Sequence, residues 1–331
     1  MKKNNILITG GNGFIGSCLA KNLPKNNNIF IMDKKIPLTV NKFSKNIKFI
    51  KINLIQKNKL FNEISKIKPQ TIIHLAAQST IDMVKKKRNS YIKNNIESTK
   101  NIVDACVKFN IPKLIFSSTA AVYKKGLKNL NENAKLYSNN IYGKTKIKNE
   151  KYIKKKIKDN KYGILRFFNV CSSDIKNHIG ELHNPETHLL PILVNKIKKK
   201  KLVKIYGNNY NTYDGTCIRD YIHILDVISG IIKLEKYLET NKSDTFNLGS
   251  GIGFSIMKII RECEKNIGKK ANLSFVKKRF GDADKLICNI DKSKHQLKWY
   301  PKNSNLKRII KDEIWWDLFL KRKKINRKFI Y

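Results

Sequence analysis

The chain has 331 residues, 41% of them hydrophobic, which is enough for one large or two medium domains with a real core. No stretch approaches the ~18 consecutive apolar residues of a membrane span, and the short run from Ile6 to Gly10 is too little for a secretory leader, so no membrane contact and a cytoplasmic location are expected. The net charge of +44 attracts polyanions, but the lysines are spread over the whole chain and Lys, Asn and Ile share A/T-rich codons, so a nucleotide bias accounts for the excess without a specific nucleic-acid partner.

In chain order, short apolar runs alternate with longer segments of helical period. Strands are predicted at Ile6 to Ile8, Ile29 to Met32, Phe49 to Ile52, Thr71 to Leu75, Leu114 to Ser117 and Ile164 to Phe167. Most are continuously apolar, as buried parallel strands are. Helices are predicted over Phe14 to Leu23 and Asn95 to Phe109, and from Tyr142 to about Lys156. This alternation predicts an α/β fold with a doubly wound, Rossmann-type parallel sheet. After Asn169 the alternation is lost and Gly, Asn, Pro and Thr become frequent. Two domains follow: residues 1–169 for a dinucleotide, and a smaller C-terminal α/β domain, 170–331, for substrate. Part of 222–248 is expected to return to the sheet. Disorder is expected only in the last few residues.

Between the first strand and the first helix lies Gly10-Gly11-Asn12-Gly13-Phe14-Ile15-Gly16. Such glycines let the backbone turn tightly and approach a diphosphate, while the helix N-terminus offers free N–H groups. The turn alone is weak evidence; Asp33, at the end of the second strand, strengthens it. Its carboxylate can accept both adenosine ribose hydroxyls and would repel a 2′-phosphate, favouring NAD over NADP. Lys34 and Lys35 are read as solvated. A second glycine-rich stretch, Gly249 to Gly253, lacks this setting and is read as a structural loop.

The catalytic candidates are Tyr142 and Lys146, four residues apart on one helix face. Spacing alone proves little: 13 tyrosines in a chain with 69 basic residues of 331 give such a pair about three times by chance. The pairs are Tyr142/Lys146, Tyr152/Lys156 and Tyr162/Arg166, and only the first follows a strand ending in a hydroxyl, Thr119. A lysine ammonium and a cationic nicotinamide would lower the tyrosine pKa from near 10. The tyrosine could then take a proton from a sugar hydroxyl, with Thr119 hydrogen-bonding the reacting oxygen. The six cysteines contain no C-x-x-C spacing, so isolated thiols and no metal site are expected.

Over nearly its whole length the sequence resembles the extended short-chain dehydrogenase/reductase family, and within it the nucleotide-sugar 4-epimerases. The stretches that carry this are Ile8 to Ser17, Ile73 to Ala77, Phe116 to Tyr123, Leu165 to Val170, Pro185 to Pro191, Asp214 to His223 and Asn247 to Ser255. The resemblance implies NAD that stays bound and 4-epimerisation of UDP-hexoses, with UDP-glucose and UDP-galactose as the pair. Tyr142 would deprotonate the 4-hydroxyl as hydride leaves C4; the 4-keto sugar would turn over and take the hydride back on its other face. It also implies cofactor contacts from Asn53, Leu54, Leu75, Ala76, Ala77, Ser79, Asn94 and Phe168. Asn169, His188, Tyr206, Arg219, Arg279 and Asp282 would hold the UDP part, and Leu286 would bound the sugar pocket. A homodimer is implied by the same resemblance.

A related branch, the 4,6-dehydratases, places Asp-Glu after the threonine; here Ala120-Ala121 follows Thr119, which leaves elimination without its acids. Epimerisation of N-acetylated UDP-hexosamines is the first alternative, since Leu286 is of intermediate bulk. A non-catalytic polyanion-binding protein on the same fold is the second. The chain departs from the family pattern at Asn53, usually an acid, at Lys124, usually glycine, and at Ser172-Ser173, usually Gly-Ala.

Overall fold

The computed structural model describes residues 3–35, 45–79, 84–127, 129–183, 185–279 and 282–323. The terminal residues expected to be disordered lie outside it. Two compact units emerge: Met1–Tyr123 with Lys135–Phe167 and Ile228–Phe246, and Lys124–Ala134 with Phe168–Val227 and Asn247–Tyr331. The expected division lay between 169 and 170. The second unit begins at Phe168 and also takes Lys124–Ala134, which the loss of alternation gave no reason to separate from its neighbours.

The first unit runs β1 (Asn5–Thr9), α1 (Phe14–Asn22), β2 (Asn28–Asp33), β3 (Ile47–Lys51), α2 (Lys57–Ile67), β4 (Thr71–His74), α3 (Val84–Lys108), β5 (Lys113–Thr119), α4 (Ile141–Lys156) and β6 (Lys161–Phe167). Further on come β7 (Asn169–Cys171), β8 (Ser173–Asp174), β9 (Ile179–Gly180), α5 (Leu189–Lys198), β10 (Leu202–Tyr206) and β11 (Ile218–His223). Then follow α6 (Ile224–Thr240), β12 (Asp244–Leu248), β13 (Gly253–Ser255), α7 (Ile256–Ile267), β14 (Asn272–Val276), β15 (Lys285–Leu286), α8 (Asp291–Leu297) and α9 (Leu306–Arg322).

Seven strands form one sheet in the order β12-β6-β5-β4-β1-β2-β3. From β6 to β3 every neighbouring pair is parallel. The order in which strands are added reverses at β1/β4, the switch point at whose carboxyl edge ligands bind in such sheets. Part of 222–248 does return to this sheet, as β12. The core beneath the sheet holds Leu7, Leu60, Ile64, Ile102, Val103, Leu114, Phe116 and Ile164. Each such side chain stabilises the fold by about 1.5–3 kcal/mol relative to exposure. Helix α2 shows the pattern clearly: Leu60, Ile64 and Ile67 are its buried residues, the i, i+4, i+7 stripe of an amphipathic helix. Helix α3 starts at Val84, well before the predicted Asn95; buried Tyr91 extends the inward face by one turn of that stretch.

In the second unit β11 is the hub: β13 pairs with it antiparallel, β15 and β7 parallel. A parallel pair, β10 and β14, lies apart. Its own core gathers Leu190, Leu193, Ile197, Val203, Ile205, Ile259, Ile260 and Ile309. Among the described residues no helix is long and apolar enough to cross a membrane.

Candidate active site

The glycine turn is built by close approach. Gly10 has φ +69°, and a Cβ there would lie 2.7 Å from the backbone Cα and N of Ala76. Only glycine meets both demands. Gly13 is the N-cap of α1, and no side chain caps that helix, so its first N–H groups are left for an anion. Asp33 ends β2 beside the turn; its Oδ2 accepts the Asn12 N–H at 3.1 Å. A bare helix end and a carboxylate beside it fit a dinucleotide, with the diphosphate at Gly11, Gly13, Phe14, Ile15 and Gly16 and a ribose at Asp33. Lys34, read as merely solvated, donates to Asn94 Oδ1 at 3.2 Å.

The other expected cofactor residues differ in exposure. Asn53 Oδ1 accepts the Ile55 N–H at 3.4 Å, and Leu54 is buried in the core. Leu75 donates its N–H to Thr9, while Ala77 and Ser79 are exposed. Phe168, in the second unit, is buried and donates its N–H to Leu248 O at 3.0 Å.

At the carboxyl end of β5, Thr119 Oγ1 accepts the Ala121 N–H at 3.2 Å, capping a short 3-10 turn. Acting as acceptor there leaves the hydroxyl hydrogen free to be donated. Helix α4 is started by Asn140, whose Oδ1 accepts the Gly143 N–H at 2.7 Å. Gly143 allows a very close contact: a Cβ would lie 2.2 Å from Ser138 Oγ and 2.4 Å from the Ala121 carbonyl oxygen. The first turn of α4, with Tyr142, is thereby pressed against the turn that follows Thr119.

Lys146 lies one helical turn on and is buried. Its Nζ donates to the Ser117 carbonyl at 2.6 Å and sits 4.6 Å from the Phe116 ring centre and 5.6 Å from that of Tyr142. Burial pushes its pKa down to about 7, against the opposing pull of Glu150. Burial also raises the Tyr142 pKa, and Tyr91 adds to the rise. The expected lowering includes a cationic nicotinamide, and the rise belongs to the protein without that cation. In the protein alone, desolvation of the phenolate outweighs a lysine whose own charge is only half retained near neutrality. His74, on β4, is held neutral: burial first, then Lys146, lower it to about 3. The rival pairs sit elsewhere. Tyr152 donates its hydroxyl to Asp104 at 2.7 Å, and Tyr162 lies on β6 with its N–H bonded to Ser243.

Behind Lys146 is a network that spacing did not reveal. Glu150 accepts from Ser118 Oγ at 2.5 Å and from Arg166 Nε and Nη2 at 3.1 and 2.7 Å. Arg166 also donates to Tyr123 Oη at 2.9 Å. The available signal was Glu150 as the sole acid in a lysine-rich helix.

In the second unit β11 gathers several expected residues. Arg219 pairs with Asp282 at 2.5 Å, and Tyr210 donates to the other carboxylate oxygen at 3.1 Å. Leu286 is the register partner of Arg219, and Asn169 Nδ2 donates to Asp220 O at 2.8 Å. Arg279 lies 4.2 Å over the Tyr206 ring; both are exposed. His188 Nδ1 is 3.0 Å from Glu181 and 3.4 Å from Glu186. Burial alone would lower its pKa, but the Glu186 hydrogen bond and the charges of Glu181, Glu186 and Glu313 raise it. With His183 these residues bring four ligand atoms within 4.8 Å. That donor set suits a divalent cation, and its contacts are equally those of imidazoles sharing protons with carboxylates. The Gly249–Gly253 loop is closed on Asp220: the Ser250 and Gly251 N–H groups donate to its carboxylate at 2.7 and 2.9 Å. Its anion-binding groups are filled by the protein's own carboxylate.

The sheet, the bare glycine turn and the tyrosine–lysine helix are those of a dinucleotide-binding α/β protein of the short-chain dehydrogenase/reductase type. Residues 6–249 match the NAD dependent epimerase/dehydratase family, and the chain belongs to that family. It is 33% identical to the UDP-glucose 4-epimerase of Lactobacillus helveticus, over 92% of this chain and 94% of that one. It is 32% identical to the UDP-glucose 4-epimerase of Rhizobium meliloti, over 91% and 93%. Among solved structures, UDP-glucose 4-epimerase from Brucella ovis in complex with NAD superposes with a TM-score of 0.87 at 29% identity, covering 94% of this chain and 97% of that one.

Proposed function

We propose that this chain catalyses NAD-dependent 4-epimerisation of UDP-hexoses, with UDP-galactose and UDP-glucose as the pair. The observation that carries the reading is Lys146, buried on the Ser117 carbonyl beside Tyr142, while the rival Tyr152 is spent on Asp104. The relatives' activity supports it. When bound, NAD supplies the two-electron oxidation of C4 and its reversal. The Gly10–Gly16 turn, Asp33 and Asn94 are the residues to hold it.

Tyr142 accepts the proton of the 4-hydroxyl and later returns it. The Lys146 ammonium stabilises the phenolate that takes up this proton and is re-formed when it is given back. Thr119 donates its free hydroxyl hydrogen to the reacting oxygen. Ala120 and Ala121 supply no acid for elimination, so oxidation at C4 leads back to a hexose. In the second unit Arg219 and Arg279 offer guanidiniums to the diphosphate, Tyr206 an aromatic face to uracil, and Asn169, His188 and Asp282 polar partners. Leu286 bounds the sugar. A homodimer in the cytoplasm belongs to the same reading.

The test is to purify the protein, add UDP-galactose without cofactor, and measure UDP-glucose by ion-exchange chromatography. Conversion is expected. NAD-loaded protein that interconverts no UDP-hexose, N-acetylated ones included, would contradict the reading.

A further inference from the structure

We infer that Glu150 is a positioning residue for the redox centre: anchored by Ser118 and Arg166, its carboxylate is what keeps the buried Lys146 in its ammonium form. The inference rests on the function proposed above, in which that ammonium is needed. Its physical basis is local and separable.

Three successive residues of β5 each serve the site. The Ser117 carbonyl takes Lys146, the Ser118 hydroxyl takes Glu150, and Thr119 ends the strand beside the first turn of α4. Opposite them, α4 presents Tyr142, Lys146 and Glu150 at i, i+4 and i+8, a single inward stripe. The remaining charges of α4 are lysines. The groups that face Lys146 are His74 from β4, the Phe116 ring and Ser117 carbonyl from β5, and Tyr142 and Glu150 from its own helix. Arg166 approaches from β6, and Tyr91 on α3 acts on Tyr142. His74 is neutral and both tyrosines hold their protons, so Glu150 carries the negative charge in this set.

Charge balance then decides. Arg166 keeps its charge at any pH a protein survives, and it is as deeply buried as Glu150. Without the carboxylate, two cations would share one desolvated region, and the weaker base, Lys146, would release its proton. A buried ion pair is otherwise a poor source of stability, since apolar residues of equal volume often do as well. The arrangement of Glu150 and Arg166 is explained by what it does for Lys146.

The test reads the lysine directly. In protein carrying 13Cε-labelled lysine, one resonance should titrate near pH 7, far below the others, and be missing from Lys146→Met. In Glu150→Gln its midpoint should fall by about one pH unit or more, and the basic limb of the turnover–pH profile should fall with it. Arg166→Lys, which keeps the cation, should leave the midpoint within a few tenths. An unchanged midpoint in a folded Glu150→Gln protein would overturn the inference, even if its melting temperature dropped. Should that variant not fold, Glu150→Asp retracts the charge by one methylene and should move the midpoint less, in the same direction; no movement there overturns it equally. The titration needs no substrate, so it stands or fails separately from the epimerase assay.

Discussion

The two units set their candidate site residues in different surroundings. In the first, Lys146, Glu150 and Arg166 are buried and each is bonded to named partners. In the second, Tyr206 is 43% exposed, Arg279 rests on its ring, and the His188 side chain is 45% exposed between two carboxylates. Burial shifts proton affinities by several units, and it brings Lys146, beside Tyr142, to about 7. Exposed charges and rings are cheap to hold and free to meet a nucleotide. In the proposed function, chemistry falls to the first unit and capture to the second.

The sharpest way to break that assignment is Tyr142→Phe. Turnover should fall by about 10²–10⁴, the usual worth of a general acid–base group, with NAD retained; Tyr152→Phe should change little. Equal losses in both would mean the wrong tyrosine has been chosen. Next comes Lys146→Met. The folded pKa is about 7 against 10.5 for the free side chain, so between these values the unfolded chain binds the extra proton. Wild-type stability should therefore rise from pH 7 towards pH 10.5 by a few kcal/mol relative to the variant. Urea unfolding at both ends of that window checks the sign, and a constant difference would refute a buried, depressed lysine. On the capture side, Arg219→Ala removes a charged hydrogen bond to Asp282 worth about 1.5–3 kcal/mol. It should raise KM for the UDP-sugar more than it lowers kcat; a pure kcat effect would place Arg219 in the chemistry instead. The smallest effect is expected from Gly143→Ala, whose methyl must displace Ser138 or the Ala121 carbonyl. It should destabilise by about 1–3 kcal/mol, with activity lost in proportion at the start of α4.

Much of the first unit was legible because its signals are local. Glycines at a strand–helix junction, an acid closing the next strand and apolar runs of strand length are all readable within a few residues. Glu150 was not legible as a site residue: its partner Arg166 lies 16 residues on, on another element, and only the register of β5 with β6 brings Ser118 opposite Arg166. Asp220 was hidden for the same reason, its partners Ser250, Gly251 and Cys288 being 30, 31 and 68 residues away. The rise of the Tyr142 pKa in the protein alone was not legible either, because spacing counts charges and cannot count lost water. The composition, in turn, gains meaning from burial. Eight acids are buried among the described residues, Glu150, Asp174, Glu181, Asp220, Asp226, Asp312, Glu313 and Asp317, against three basic residues, Lys113, Lys146 and Arg166. Surface positions accept lysine at little cost, while the interior acids are fixed by their partners. That is the pattern a coding bias would leave.

The central claim is that C4 is oxidised and reduced again within one protein, with Tyr142 moving only the hydroxyl proton. Running the conversion of UDP-galactose to UDP-glucose in D2O tests it most directly, with NMR of the product at C4. The account predicts a product that keeps its original hydrogen on C4, with no deuterium there. Deuterium at C4 would contradict it, because the carbon-bound hydrogen would then have exchanged with solvent.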